Sequence, residues 1–172
     1  MNSQPDARTA AKRSERRRLE PGTAPPLAAV AAIIGLAPTL GGAVVALAPI
    51  IPAVTRDEAL RAVIAGVAVL LSLHGGIRWG LAARNELRVA GSSNLLLPLL
   101  PALAAWTALL LPSLPGLAVA TAASAGQGAA DVFAAEGGAA PVWYGRLRLR
   151  QTLALIAILA ATFVGVAFGA RS

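Results

Sequence analysis

Of the 172 residues, 56% are hydrophobic and 13% are charged, with a mean hydropathy of +0.68. A soluble domain carries about 25% charged residues, and one this small still exposes much of its surface, so the composition excludes an ordinary water-soluble fold and points to a bilayer. The net charge of +7 would suit nucleic acid, but the basic residues sit at the ends of apolar segments, the pattern of membrane topology. No nucleic-acid partner is expected.

Residues 1–25 hold Arg8, Lys12, Arg13, Arg16, Arg17 and Arg18 with few apolar side chains. Such a stretch cannot offset its own ordering entropy and reads as a disordered basic cytoplasmic tail resting on anionic lipid. The apolar stretch that follows is too long for the core of a signal peptide. Five apolar segments come next, at about 27–52, 59–83, 92–111, 116–133 and 146–169, near the ~20 residues a spanning helix needs. Pro38 with Gly41–Gly42 predicts a kink in the first. Thr55, Arg56, Asp57 and Glu58 read as a loop before the second, and Arg84, Asn85, Glu86 and Arg88 as a loop after it. Pro98 and Pro101 fall in the first half of the third. The fourth is rich in Ala, Gly, Ser and Thr, so it spans only if other helices surround it.

Five spans place the termini on opposite sides. With the N-terminus inside, the tail, Arg84, Arg88, Arg146, Arg148 and Arg150 put eleven basic residues inside, against Arg56, Arg61 and Arg171 outside. The expected fold is therefore an all-α integral membrane protein, a five-helix bundle with N-in/C-out topology, multi-pass in a bacterial inner membrane.

The second segment contains Ser72-Leu73-His74-Gly75-Gly76-Ile77-Arg78-Trp79-Gly80. Ala68, Ser72, Gly76 and Gly80 recur every four residues, a stripe expected to pack within the bundle. His74 and Arg78 share another face. Arg78 is near enough to the inner end to snorkel. His74 lies deeper, where an ionisable group marks a functional site or is a neutral ring bonded to a backbone carbonyl. Asp131, at the inner end of the fourth segment, is expected to pair with Arg78 or with the Arg146–Arg150 cluster, or else to be a solvated helix-end carboxylate. Trp79, Trp106, Trp143 and Tyr144 read as interfacial anchors, and Arg146, Arg148 and Arg150 as a lipid-headgroup site.

A single His and no Cys leave no multi-His metal site, thiolate site or Cys nucleophile. No phosphate-binding loop, GxSxG or HExxH is present. No catalytic residue, metal or cofactor is expected.

Residues 72–80 resemble the "SFLGGIHWG" pattern of the DUF3429 family, which includes transmembrane protein 69. Pro-Val-Trp-Tyr at 141–144, with Leu147, Arg148 and Thr152, resembles that family's "PxWYxxLRxxLT" signature, and Pro101, Ala105, Trp106 and Asp131 also fit. The family's His falls on Arg78 here, and Gln151 replaces the Leu of the "LT" pair. The resemblance covers most of residues 27–170 and implies a small multi-span inner-membrane or mitochondrial protein. It brings no activity with it.

Two function classes follow. One is a non-catalytic subunit or assembly factor of a membrane complex, suggested by short loops and the small-residue stripe. The other is a small transporter or lipid- or quinone-binding protein using the His74–Arg78 face, for which a polar cavity reaching His74 is the discriminating observation.

Overall fold

The computed structural model describes residues 23–48, 50–86 and 96–169, and at 84–86 the backbone alone. Most of the basic tail, Arg88, the expected start of the third segment and Arg171 lie outside the described residues. Among the described residues the regular elements are all helical: α1 (Pro26–Leu47), α2 (Arg56–Glu86), a 3₁₀ turn (Leu97–Leu99), α3 (Leu100–Leu110), α4 (Ser113–Glu136) and α5 (Val142–Gly169).

Local chemistry sets the helix ends and corrects several expected boundaries. α1 starts with Pro26 in its first turn, where a missing N–H costs nothing. It continues through Pro38 and stops at Leu47, short of the expected 52, because Ala48 is extended and precedes a proline, which disfavours helical backbone. α2 begins at Arg56, inside the expected loop. Thr55 and Glu58 form a capping box: the Thr55 N–H donates to Glu58 Oε2 (2.8 Å) and the Glu58 N–H to Thr55 Oγ1 (3.2 Å). Asp57 and Glu58 in the first turn complement the helix dipole. The helix then continues through Glu86, taking in residues expected to form the next loop. The third helix is shorter than the expected span, since Pro98 and Pro101 each stand at the start of a helix rather than within one. α4 ends against Gly138, whose φ of 76° suits a residue without Cβ, and the chain turns directly into α5.

Close approaches give the directions. Along α1 and α2, Gly35 faces Leu70, Gly66 faces Thr39 and Gly42 faces Val63, an antiparallel pairing. Gly75 of α2 faces Pro98, and Ala108 of α3 faces Gly116 of α4. Ser113 at the start of α4 donates a hydrogen bond to Asp57 at the start of α2, so those two run the same way. Leu47 and Gly165 meet at the C-terminal ends of α1 and α5. The helices therefore alternate up and down. α1, α2, α4 and α5 close a ring through the pairs α1–α2, α2–α4, α4–α5 and α5–α1, while α3 packs in the groove between α2 and α4.

The core holds Val63, Ile64 and Val67 of α2, Leu117 of α4 and Leu159 of α5, with small residues such as Ala43, Ala46 and Ala108 opposite them. Large apolar side chains also cover the outside, including Ile33 (70% exposed) and Phe168 (71%). An outer surface of this kind suits lipid. α1, residues Arg56–Ala83 of α2, and α5 are each long and apolar enough to cross a membrane. The apolar stretch Leu97–Leu110 is shorter, roughly 20 Å at the α-helical rise. α4 has the length, but its polar residues keep it from qualifying by hydropathy. They are turned inward: Ser113, Ser124, Gln127 and Asp131 are buried.

The small-residue stripe does not lie where it was expected. Ala68 is buried, but Ser72, Gly76 and Gly80 are exposed, and a Cβ on Gly76 or Gly80 would meet nothing within 4 Å. Spacing fixes which residues share a face, not which way that face points. The helix contact is one position away, at Gly75, where an added Cβ would lie 2.6 Å from the Pro98 carbonyl oxygen. Gly75→Val should therefore destabilise the detergent-solubilised protein by about 1–3 kcal/mol through overpacking relative to Gly76→Val, which carries the same helix-propensity change. Equal thermal unfolding of the two variants would contradict this packing.

Candidate functional site

Three of the four ring helices bring charged side chains to one end of the bundle, and the fourth supplies a carbonyl. Asp131 of α4 is fully buried (0% exposed). Its Oδ2 accepts from Arg148 Nε of α5 at 2.7 Å. Its Oδ1 accepts from Gln127 Nε2 at 3.1 Å and from Arg78 Nη1 of α2 at 3.3 Å. Arg78 Nη1 also donates to the Ala130 carbonyl at 2.5 Å. Arg148 Nη1 donates to Gln151 Oε1 at 2.6 Å, and Gln151 Nε2 donates to the Ala32 carbonyl of α1 at 3.0 Å. One hydrogen-bonded chain thus ties α2, α4, α5 and α1 together.

Helical periodicity builds this cluster. The buried positions of α4 include 113, 117, 120, 124, 127, 131 and 135, and those of α5 include 144, 148, 151, 155, 159 and 162. Each set advances by three or four residues and keeps one face inward. The two inward faces meet, so Asp131 finds Arg148. Arg146 and Arg150 lie about 200° from Arg148 at ~100° per residue and are exposed. The expected three-arginine headgroup site is therefore split. Arg148 is held by Asp131 and Gln151, and only Arg146 and Arg150 face outward.

Asp131 pairs with both expected partners, Arg78 and one member of the Arg146–Arg150 group, and is not a solvated helix-end carboxylate. His74 is buried at 6% exposure, and its Nδ1 donates to the Leu70 carbonyl at 2.6 Å. A carbonyl can only accept, so in the neutral ring Nε2 is left as an acceptor. Trp79 and Trp106 are exposed and Trp143 is half-buried, and Trp106 stands beside Ala65, Val69 and Ser72, near the middle of α2. Tyr144 is not an exposed anchor. It is buried, stacks edge-on against Trp143 at 6.1 Å between ring centres, and places its hydroxyl without a hydrogen-bond partner. It follows Gly145 and Arg148 onto the inward face of α5.

Two cavities flank the charged cluster. One, of about 250 Å³, lies between α1, α2 and α5 and is lined by His74, Tyr144, Arg148 and Gln151 among apolar side chains such as Leu73 and Ile77. The other, of about 330 Å³, lies between α2, α3 and α4 and is lined by Arg78 and Gln127 among Leu97, Leu100, Ala104 and Gly126. His74 and Arg78 share a helix, yet they open into different cavities on either side of Asp131.

The family model for DUF3429, described as a protein of unknown function, matches residues 11–164. The chain belongs to the DUF3429 family. No curated protein and no solved structure matches it. In this DUF3429 chain both stretches that carry the resemblance reach the cluster: residues 72–80 supply His74 and Arg78, and residues 141–152 supply Tyr144 and Arg148. Among the described residues, no three His, Asp or Glu side chains stand close enough to hold a metal ion.

Sequence reasoning missed Gln127 as a member. Its signal was present in the run Ser124, Gln127, Asp131, three polar residues at three- and four-residue spacing in an apolar helix. Gln151 was visible only as a departure from the family pattern, yet it bridges Arg148 to α1. Neutralising the carboxylate with Asp131→Asn leaves two arginines without their counter-charge. It should cost about 3–5 kcal/mol, the scale for breaking a buried pair. Glu136→Gln, at an exposed position of the same helix, should cost little. Indistinguishable unfolding of these two variants would refute the structural role given to Asp131.

Proposed function

We propose that this chain is a non-enzymatic, five-span protein of a bacterial inner membrane that takes an amphiphile, a lipid or a quinone, into its helix bundle. The observation that carries this reading is the cavity of about 250 Å³ reaching His74. Its walls are mostly apolar with a few polar groups set among them, the usual make-up of a small-molecule pocket. The few polar groups offer recognition within an apolar wall, which favours binding.

The five-span topology is supported by the alternation of helix direction and by the inward turn of the polar face of α4. A helix with such a face is tolerated in lipid when neighbours cover it. The N-in orientation is supported by the eleven basic residues assigned to the side of the tail. A reporter fused to the C-terminus should be active outside the cytoplasm. A cytoplasmic C-terminus would overturn the topology.

A second reading, a subunit or assembly factor of a membrane complex, is favoured by a separate observation. Ser72, Gly76 and Gly80 form a small-residue strip on the outer surface, where another membrane helix could approach closely. One preparation separates the two readings. Mass spectrometry of the chain purified in mild detergent should find a bound amphiphile, and Ala31→Trp on the cavity wall should lose it while the protein stays folded. A chain that carries no amphiphile but retains a partner protein, released by Gly76→Leu, would replace the first reading with the second.

A further inference from the structure

Among the described residues, the cluster around Asp131 does not balance in charge. Two guanidinium groups, Arg78 and Arg148, meet one carboxylate. The other polar side chains described around it, His74, Tyr144, Gln127 and Gln151, carry no negative charge. A surplus cation in a medium of low dielectric is expensive and calls for a counter-anion. Arg148 is closed in, with 6% of its side chain exposed, while the Arg78 side chain is 23% exposed. Arg78 spends Nη1 on Ala130 and Asp131. Its remaining donors face no described acceptor, and it lines the cavity of about 330 Å³ between α2, α3 and α4.

We infer that this second cavity, on the opposite side of Asp131 from His74, is a site for an anionic phospholipid whose phosphate sits on Arg78. The inference is independent of the His74 cavity. The surplus charge is a single unit, which matches a phosphodiester. Gln127 supplies the other polar side chain of the wall, and a guanidinium and a phosphate form a strong charge-assisted pair. The remaining lining, Leu97, Leu100, Pro101, Ala104, Ala123 and Gly126, gives nothing to a free inorganic anion but suits an acyl chain. The site thus moves from the surface arginines 146 and 150 to one arginine with a built cavity beside it.

The test uses the full chain in detergent, read by native mass spectrometry and thermal unfolding with added phosphatidylglycerol, phosphatidylcholine or inorganic phosphate. Phosphatidylglycerol should bind and raise the unfolding temperature more than phosphatidylcholine. Phosphate alone should do neither. Arg78→Gln should weaken phosphatidylglycerol binding about tenfold or more, the scale of one charged hydrogen bond, and paired Arg146→Gln and Arg150→Gln changes should not. Arg78 also has a structural partner, so Gly126→Phe provides a second variant. A Cβ there meets nothing within 4 Å, and the ring would fill the cavity while leaving the Asp131 contacts in place. Phosphatidylglycerol binding that survives Gly126→Phe, that equals phosphatidylcholine binding, or that follows Arg146 and Arg150 instead of Arg78 would overturn the proposal. A phosphate-induced shift equal to that of phosphatidylglycerol would overturn the lipid assignment. Loss of the amphiphile at the His74 cavity in Ala31→Trp would leave these outcomes unchanged, so the two sites stand or fall separately.

Discussion

A single buried carboxylate governs the arrangement of this bundle. Asp131 has no access to solvent, and an ionised carboxylate in an apolar interior requires donors and a counter-charge. α4 supplies one donor from its own face, Gln127, and the rest come from elsewhere in the chain. Meeting that demand fixes α2 and α5 against α4 at one depth, and Gln151 extends the link to α1. Buried ion pairs often add little net stability over a well-packed apolar core. Their effect here is on register: sliding α5 by one turn would separate Arg148 from Asp131 and leave both uncompensated.

Elsewhere polar side chains follow a different rule. Several hydroxyls in the apolar helices are satisfied locally. Thr107, Thr121, Ser124 and Thr162 each donate to the carbonyl four residues earlier, at 2.7–2.9 Å. These groups need no partner helix and impose no geometry on their neighbours. Thr39 differs: it is buried with its hydroxyl unpaired where α1 crosses Gly66. Small residues at the α1–α2 and α2–α3 crossings bring the backbones close, so dispersion contacts replace the hydrophobic driving force that lipid does not provide.

Much of this was legible in the sequence, because uninterrupted apolar length is a strong signal. The five helical segments and their order could be read from it. Segment ends were less legible where side-chain chemistry extends or cuts a helix. The Thr55–Glu58 box starts α2 inside what looked like a loop, and Pro98 opens the 3₁₀ turn and Pro101 opens α3 instead of interrupting a span. At the site, Asp131, Arg78 and His74 stood out as ionisable groups among apolar neighbours. By charge alone Arg148 looked no different from Arg146 and Arg150; the family signature marked it, and its place on the same face as Tyr144 and Gln151 explains why it is buried. The glycine stripe shows the converse limit: period four identified a face of α2, but only the packed neighbours decide that Gly75 points in and Gly76 out.

The polar inner face of α4 also bears on how the protein is made. In the five-span reading the helices leave the ribosome in chain order, and α4 arrives with Asp131 before Arg148 has been synthesised. Arg78 is already present on α2, so the carboxylate meets one of its two cations early and the second only when α5 enters. α4 alone is a poor membrane segment, and its commitment to the bilayer is therefore tied to the helix that follows it. On that reading the last two helices would enter as one unit, and a chain truncated before residue 148 would leave α4 without one of its two cationic partners.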